Sequence, residues 1–270
     1  MEESQLPDRN RLSILSAVIL LSYALIPFVK LPGQQVSLQM AGFFFQIQID
    51  FGTIISIFTA ILAGLGTDWL LESHPHRQKQ TLIRHGFVPM LTAWAIGVPL
   101  TTLEVTPEWW VVLALGGTLL VLVLIAEYIV VDSGGSMHLP ASLGLTAISF
   151  ALFLILAITS RAAGLRLFLL VPALSVALFL LVLRSLYLRS VGRWNWVWAL
   201  GITGFISQLA VSFHYLPFQP LSFGLALVAV AYPLTSLAAG LEEGRQASSL
   251  WVEPILLFVI LMSLSLVVGG

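Results

Sequence analysis

The residues in this chain that could do chemistry are few, and they gather at the ends of apolar runs. Asp68, Glu72, His74 and His76 fall within GTDWLLESHPH (66–76), where one apolar run closes. Glu127 and Asp132 close another. Glu242, Glu243, Gly244 and Arg245 make a compact charged turn, and Glu253 opens the last apolar run. Ionisable groups inside or at the edge of an apolar segment are costly to bury, so each is a functional candidate by default. Asp68, Glu72, Glu127, Glu242, Glu243, Arg245 and Glu253 are therefore the candidate polar pocket. Three chemistries suit them: pairing between helix ends, an inner-face pocket for a lipid headgroup or small anion, and a path for protons or cations. Helix-end pairing is the simplest. The proton path is the weakest, because no acidic residue sits at the centre of an apolar run.

Other constellations are thin. His74-Pro75-His76 invites a metal reading, with Asp68, Glu72 and His85 able to complete a set. Proline holds that tripeptide extended, which splays the two rings, and zinc wants three or four ligands in secure geometry. The spacing matches no metal motif, so no metal site is expected. His138 and His214 fall on opposite sides of the membrane in the topology below and cannot share a site. The chain carries no G-x-S-x-G, no H-E-x-x-H and no G-x-x-x-x-G-K motif. Ser133-Gly134-Gly135-Ser136 lacks a lysine and reads as a turn. Paired aspartate-rich motifs for magnesium and diphosphate are missing as well. With no cysteine, thiolate chemistry and disulfides are excluded. No catalytic residue and no cofactor is assigned, and the balance leans away from an enzyme.

The elements that must position these residues are membrane helices. Of 270 residues 58% are hydrophobic and 9% charged, against roughly 25% charged in an ordinary soluble domain. A soluble core cannot hide that much apolar surface, and a bilayer can. The net charge of −1 gives no nucleic-acid surface. The apolar stretches are continuous rather than alternating, which argues for helices over a transmembrane barrel. The expected fold is an all-α polytopic bundle, a single transmembrane domain over 1–270. About nine spans are expected at 12–29, 51–71, 84–103, 109–131, 140–160, 166–187, 194–214, 220–240 and 250–268. The first is read as an uncleaved span rather than a signal peptide. The third is the weakest, since Pro89 and Pro99 fall inside it; eight spans with a broken or re-entrant third segment is the alternative.

With the N-terminus inside, Arg9, Arg11, Arg77, Lys79, Arg84, Arg184, Arg189, Arg193 and Arg245 are cytoplasmic and only Lys30, Arg161 and Arg166 are outside. That bias sets the orientation, and Trp109, Trp110, Trp194, Trp196, Trp198 and Trp251 near span ends suit an interfacial belt. Residues 34–50 alternate apolar and polar on both sides of Ala41-Gly42, the pattern of a short outer β-hairpin. It is expected to serve as a lid over helix ends or, in a sharper reading, as a docking edge for a partner strand or an entry gate.

The stretch from His214 to Arg245 departs most from plain lipid-soluble helix. Ala231, Thr235 and Ala239 recur every four residues, as do Ser236, Gly240 and Gly244. Small residues at that spacing allow close helix contact, so the eighth span is expected to be central. Pro233 withdraws the hydrogen bond owed to the carbonyl of Ala229 and marks a helix break, as a kink or a polar notch.

Gly66 to Pro75 (GTDWLLESHP), Thr92 to Leu100 (TAWAIGVPL) and HYLPFQPLSFGL…YPLTSLAAGLEEGR resemble an uncharacterised family of bacterial multi-span membrane proteins. That family is a domain of unknown function associated with Chloroflexi-type bacteria. The resemblance covers the chain from about residue 36 onward. It implies a bacterial cytoplasmic-membrane protein and carries over no catalytic residue. Two functions follow as expectations. The first is a non-enzymatic assembly, scaffold or partner-binding subunit, whose partners are membrane lipids and other membrane subunits. The alternative is a small-solute transporter or lipid-handling membrane enzyme that uses the inner carboxylates and arginines. Convergence of Asp68, Glu127 and Glu242 on one cavity would favour the alternative.

Overall fold

In the computed structural model the described residues are 6–29, 34–40, 43–74, 85–132, 134–189, 193–245 and 250–269, with 34–40 and 43–49 described by backbone alone. Apolar runs become helices because every backbone polar group can then be satisfied within the segment. Nine α-helices and one pair of strands lie among the described residues. Eight of the helices are long and apolar enough to cross a membrane, and the chain is a multi-pass membrane protein. Contacts group it into two compact units, Met1–Gly135 and Ser136–Gly270.

In the first unit, α1 (Arg9–Ala24) starts at Asp8, whose carboxylate accepts from the Asn10 N–H at 2.8 Å, and runs on into a 3-10 turn at Ile26–Phe28. Strands β1 (Gln34–Met40) and β2 (Phe43–Ile49) pair antiparallel, with Gln34 opposite Ile49 and Met40 opposite Phe43. The Ala41-Gly42 turn expected between them lies outside the described residues. Asp50 caps α2 (Phe51–Leu71), accepting from both the N–H and the hydroxyl of Thr53 at 2.7 Å. Then follow α3 (Phe87–Thr102) and α4 (Pro107–Val130), the latter with proline in its first turn, where a missing N–H costs nothing.

The third segment is shorter than the span expected over 84–103. It is a helix of only 16 residues, about 24 Å at 1.5 Å per residue, against a hydrocarbon core of about 30 Å. Pro89 falls in its first turn and Pro99 inside it. Small residues let it press against α2: a Cβ on Gly97 would meet Ser56, and one on Gly64 would meet Met90. Gly116 of α4 faces Ile96, and Trp109 donates its indole N–H to the Leu100 carbonyl at 2.9 Å. Trp109 is thus fully buried. Tyr23 of α1 reaches the Ala93 carbonyl at 2.5 Å.

The second unit comprises α5 (His138–Ala162), α6 (Leu167–Arg189), α7 (Trp196–His214), α8 (Pro220–Glu242) and α9 (Val252–Gly269). Within it α8 packs against all four others, and every residue from Ser222 to Ala229 is buried. The small residues do what their spacing predicts. Ala231, Thr235, Ser236, Ala239 and Gly240 are all buried; a Cβ on Gly240 would collide with Leu250, and one on Gly224 with Leu154 and Ile158 of α5. Gly244 is exposed and serves as a turn instead. Pro233 lies inside α8 and buried, and the helix runs through it without interruption. By contrast α9 buries only Pro254 and Ser265 and presents Ile255, Leu256, Val259, Ile260 and Leu264 outward.

Hydroxyls inside the helices are mostly consumed locally. Ser56, Thr67, Thr92, Ser149 and Thr235 each donate to the carbonyl four residues back. Such back-bonding lets a polar side chain sit in an apolar helix without a partner from elsewhere.

Candidate functional site

Two groups of candidate residues emerge, one in each unit. In the first unit they lie at the end of the bundle where α1 starts and α2 and α4 finish. Glu72 caps α2, and the next residues fold back over the helix end through a bond of 3.0 Å from the His74 N–H to the Leu71 carbonyl. His74 is thereby buried, edge-on to Tyr128 of α4 with ring centroids 4.6 Å apart. Arg11, in the first turn of α1, donates to the Trp69 carbonyl at 2.6 Å and stands 3.4 Å from the Glu72 carboxylate. A guanidinium there complements the negative end of α2, and it also stacks over the Trp69 ring at 5.2 Å.

The innermost contact of this group is His85 with Glu127. His85 Nδ1 lies 2.8 Å from Glu127 Oε2. Glu127 is 0% exposed and His85 7%. The Glu127 carboxylate is thus fully enclosed, three residues before α4 ends at Val130. Asp68 sits half-buried one turn back from the end of α2. His76, Arg77, Lys79 and Arg84 lie outside the described residues.

In the second unit the polar residues lie where α6 and α8 end and α7 and α9 begin. The α8 terminus is a Schellman cap. Gly244 adopts φ 72°, its N–H reaches the Leu241 carbonyl, and the Arg245 N–H reaches that of Gly240 at 3.1 Å. Glycine suits that left-handed position because it has no Cβ to clash. The turn throws Glu243 between two arginines: Arg189 Nε donates to Oε1 at 3.2 Å, and Arg245 Nη2 lies 2.6 Å from Oε2. Arg189 also donates to the Ser236 hydroxyl at 3.2 Å. Glu242 accepts from the Trp198 indole at 3.0 Å, and Glu253 from the Tyr232 hydroxyl at 3.0 Å. Arg184, counted among the cytoplasmic charges although it falls within the expected span over 166–187, lies inside α6 and is fully buried, 5.4 Å from the Tyr187 ring. The α6 helix runs on to Arg189 and draws it in.

The set therefore divides, with Asp68, Glu72 and Glu127 in the first unit and Glu242, Glu243, Arg245 and Glu253 in the second. Among the described residues no group of three His, Asp or Glu side chains could hold a metal ion. His138 opens α5 while His214 closes α7, and Arg161 at the far end of α5 meets His214, so the two histidines occupy opposite ends of their unit.

Sequence reasoning missed the partners more than the residues. It weighed His85 only as a metal ligand, and it gave Arg11, Trp198, Tyr232 and Ser236 no role toward the carboxylates. The available signal was that Arg11 and Trp198 each lie near a span end on the side where the carboxylate partner lies. No curated protein and no solved structure matches the chain. Residues 31–268 match a family described as a protein of unknown function, DUF5656, and the chain belongs to that family.

Proposed function

We propose that the chain is a bacterial cytoplasmic-membrane protein that works by association, as an assembly or scaffold subunit, rather than by catalysis. One observation carries this reading: most of the candidate carboxylates take part in bonds between helices within their own unit. Arg11–Glu72 ties α1 to the end of α2, and His85–Glu127 ties the start of the third segment to α4. Arg189–Glu243 joins α6 to α8, Trp198–Glu242 joins α7 to α8, and Tyr232–Glu253 joins α8 to α9. Such clasps fix the bundle ends and leave apolar outer faces for lipid and partners. The complete burial of Glu127 beside His85 favours the second reading, transport or lipid handling through a polar pocket, since an enclosed carboxylate in a membrane helix often marks an ion path.

Reconstitution separates the two. The purified chain in liposomes is expected to carry no proton or small-ion flux, and mild detergent extracts of its native membrane are expected to hold it in a stoichiometric complex. Flux that Glu127→Gln abolishes would overturn the association reading, and so would a native extract containing only the chain by itself.

The orientation belongs to the same proposal, with the N-terminus cytoplasmic and nine crossings. The contacts of α3 support the ninth. Thr101 lies beside Gly52, Ser56 beside Gly97 and Met90 beside Gly64, so α3 runs antiparallel along most of α2. The chain has no cysteine, which makes single-cysteine labelling clean. With α3 crossing, Asn10→Cys and Ser136→Cys react with an impermeant maleimide from the same side, and Ala163→Cys from the other. Labelling of Asn10→Cys and Ser136→Cys from opposite sides would remove the third crossing.

A further inference from the structure

Among the described residues the opposite end of the second unit carries arginines that meet no carboxylate. Between Ser136 and Gly270 the acidic residues are Glu242, Glu243 and Glu253, and all three lie at the end already described. At the other end α5 and α7 finish, α8 starts and α9 finishes. Arg161, half-buried, stands there with Nη1 3.1 Å from His214 Nδ1 and Nη2 3.2 Å from the Leu216 carbonyl, its guanidinium 5.5 Å over the Phe223 ring. Arg166 is exposed in the turn that follows α5. Among the described residues neither arginine meets a carboxylate. Arginine can only donate, so His214 Nδ1 accepts and the ring proton sits on Nε2, a second donor beside the guanidinium.

Immediately next to this cationic point is a groove of about 350 Å³ lined by Leu216, Pro217, Phe218, Ser265, Leu266 and Gly269. That volume falls in the range of small-molecule sites, about 300–1,000 Å³. Leu216 belongs to both features: its carbonyl holds Arg161, and the residue forms part of the groove. Tyr215, 75% exposed, stacks edge-on to His214 as an interfacial aromatic would. Charge and shape are therefore paired, with a two-donor cationic head beside an apolar slot at a helix-bundle end.

We propose that this end of the second unit binds one anionic phospholipid, its phosphate on Arg161 and His214 and an acyl chain in the groove. Arg166 draws the headgroup in, and none of the second unit's three glutamates lies at this end to oppose the phosphate. The site lies apart from the clasps on which the association reading rests, so either can fail alone.

The test titrates the purified chain in neutral detergent with phosphatidylglycerol and with phosphatidylcholine of the same acyl chains, counting bound lipid by native mass spectrometry. Phosphatidylglycerol is expected to be retained about tenfold more tightly, and Arg161→Gln to erase that preference, because both headgroups carry a phosphate but only phosphatidylcholine adds a trimethylammonium, which the arginine repels. Arg161→Lys should keep part of it, and Arg9→Gln, an equal charge change in the first unit, should keep all of it. Equal retention of the two lipids, or an equal loss in Arg9→Gln, overturns the proposal. Inorganic phosphate that displaces the lipid completely would assign the site to free phosphate and also overturn it. If Arg161→Gln does not fold, Leu266→Trp decides: the residue is 63% exposed and tolerates bulk. Filling the groove should weaken phosphatidylglycerol binding, and unchanged binding refutes the site.

Discussion

Glu127→Ala is expected to lower the unfolding free energy of the chain by about 3 kcal/mol or more, the usual cost of removing one partner from a buried pair. The carboxylate is fully enclosed, and His85 Nδ1 is 2.8 Å from it. Neither group can turn to water when the other is removed. Glu127→Gln keeps an acceptor of the same shape at the same place and should cost clearly less. The comparison therefore separates charge from hydrogen bonding. A double-mutant cycle of Glu127→Ala with His85→Ala is expected to give a coupling of about 1–3 kcal/mol. The readout is reversible unfolding of the detergent-solubilised chain by titration with sodium dodecyl sulfate. Additive losses would mean that the two side chains are neighbours without being energetically linked, and the first unit's clasp would then be only Arg11 with Glu72.

The second large effect is steric. Gly224→Leu should destabilise by about 3 kcal/mol, the upper end of ordinary overpacking. A Cβ there would stand 2.9 Å from Ile158 Cγ1 and from Leu154 Cδ1, and 3.3 Å from the backbone oxygen of Leu154. Side chains can swing aside, but the carbonyl is part of the α5 ladder, so α5 and α8 must separate. Because α8 touches every other helix of its unit, the disturbance spreads beyond one interface. Gly204→Leu in α7 is the control: nothing lies within 4 Å of the position, and the change is expected to stay within about 1 kcal/mol of neutral. Matching losses at the two glycines would remove the claim that α8 is held by close backbone approach. Unlike the Glu127 test, this one involves no ionisable group, so the two results report independently on polar clasps and on packing.

These cases also separate what could be read locally from what could not. The apolar runs gave the helices to within a few residues in most places, because satisfying the backbone in a membrane depends on the segment itself. The spacing of Ala231, Thr235 and Ala239 announced a buried face for the same reason, since helix periodicity is a property of one element. The position of Pro233 within a helix was legible, but not that the helix runs through it. Pro107 and Pro220 start helices, while Pro99 and Pro233 lie within them. The length of the third helix was less so, because 84–103 is apolar enough to read as a span while the helix itself begins only at Phe87.

By itself, then, the sequence determined that this is a multi-pass helical membrane protein, where its helices run, which helix is rich in close-packing residues, and which carboxylates lie near helix ends. Only the tertiary structure decided their partners. His85 and Glu127 are 42 positions apart and Arg189 and Glu243 are 54, so no local pattern connects them. Whether they meet depends on how each helix is rotated about its axis and how far the neighbouring segment extends, which side-chain packing sets. The same packing buried Arg184 and Trp109 completely, which their places near span ends did not announce. It also brought Arg161, His214 and Leu216 to one point, although they come from two turns that the sequence keeps 53 residues apart.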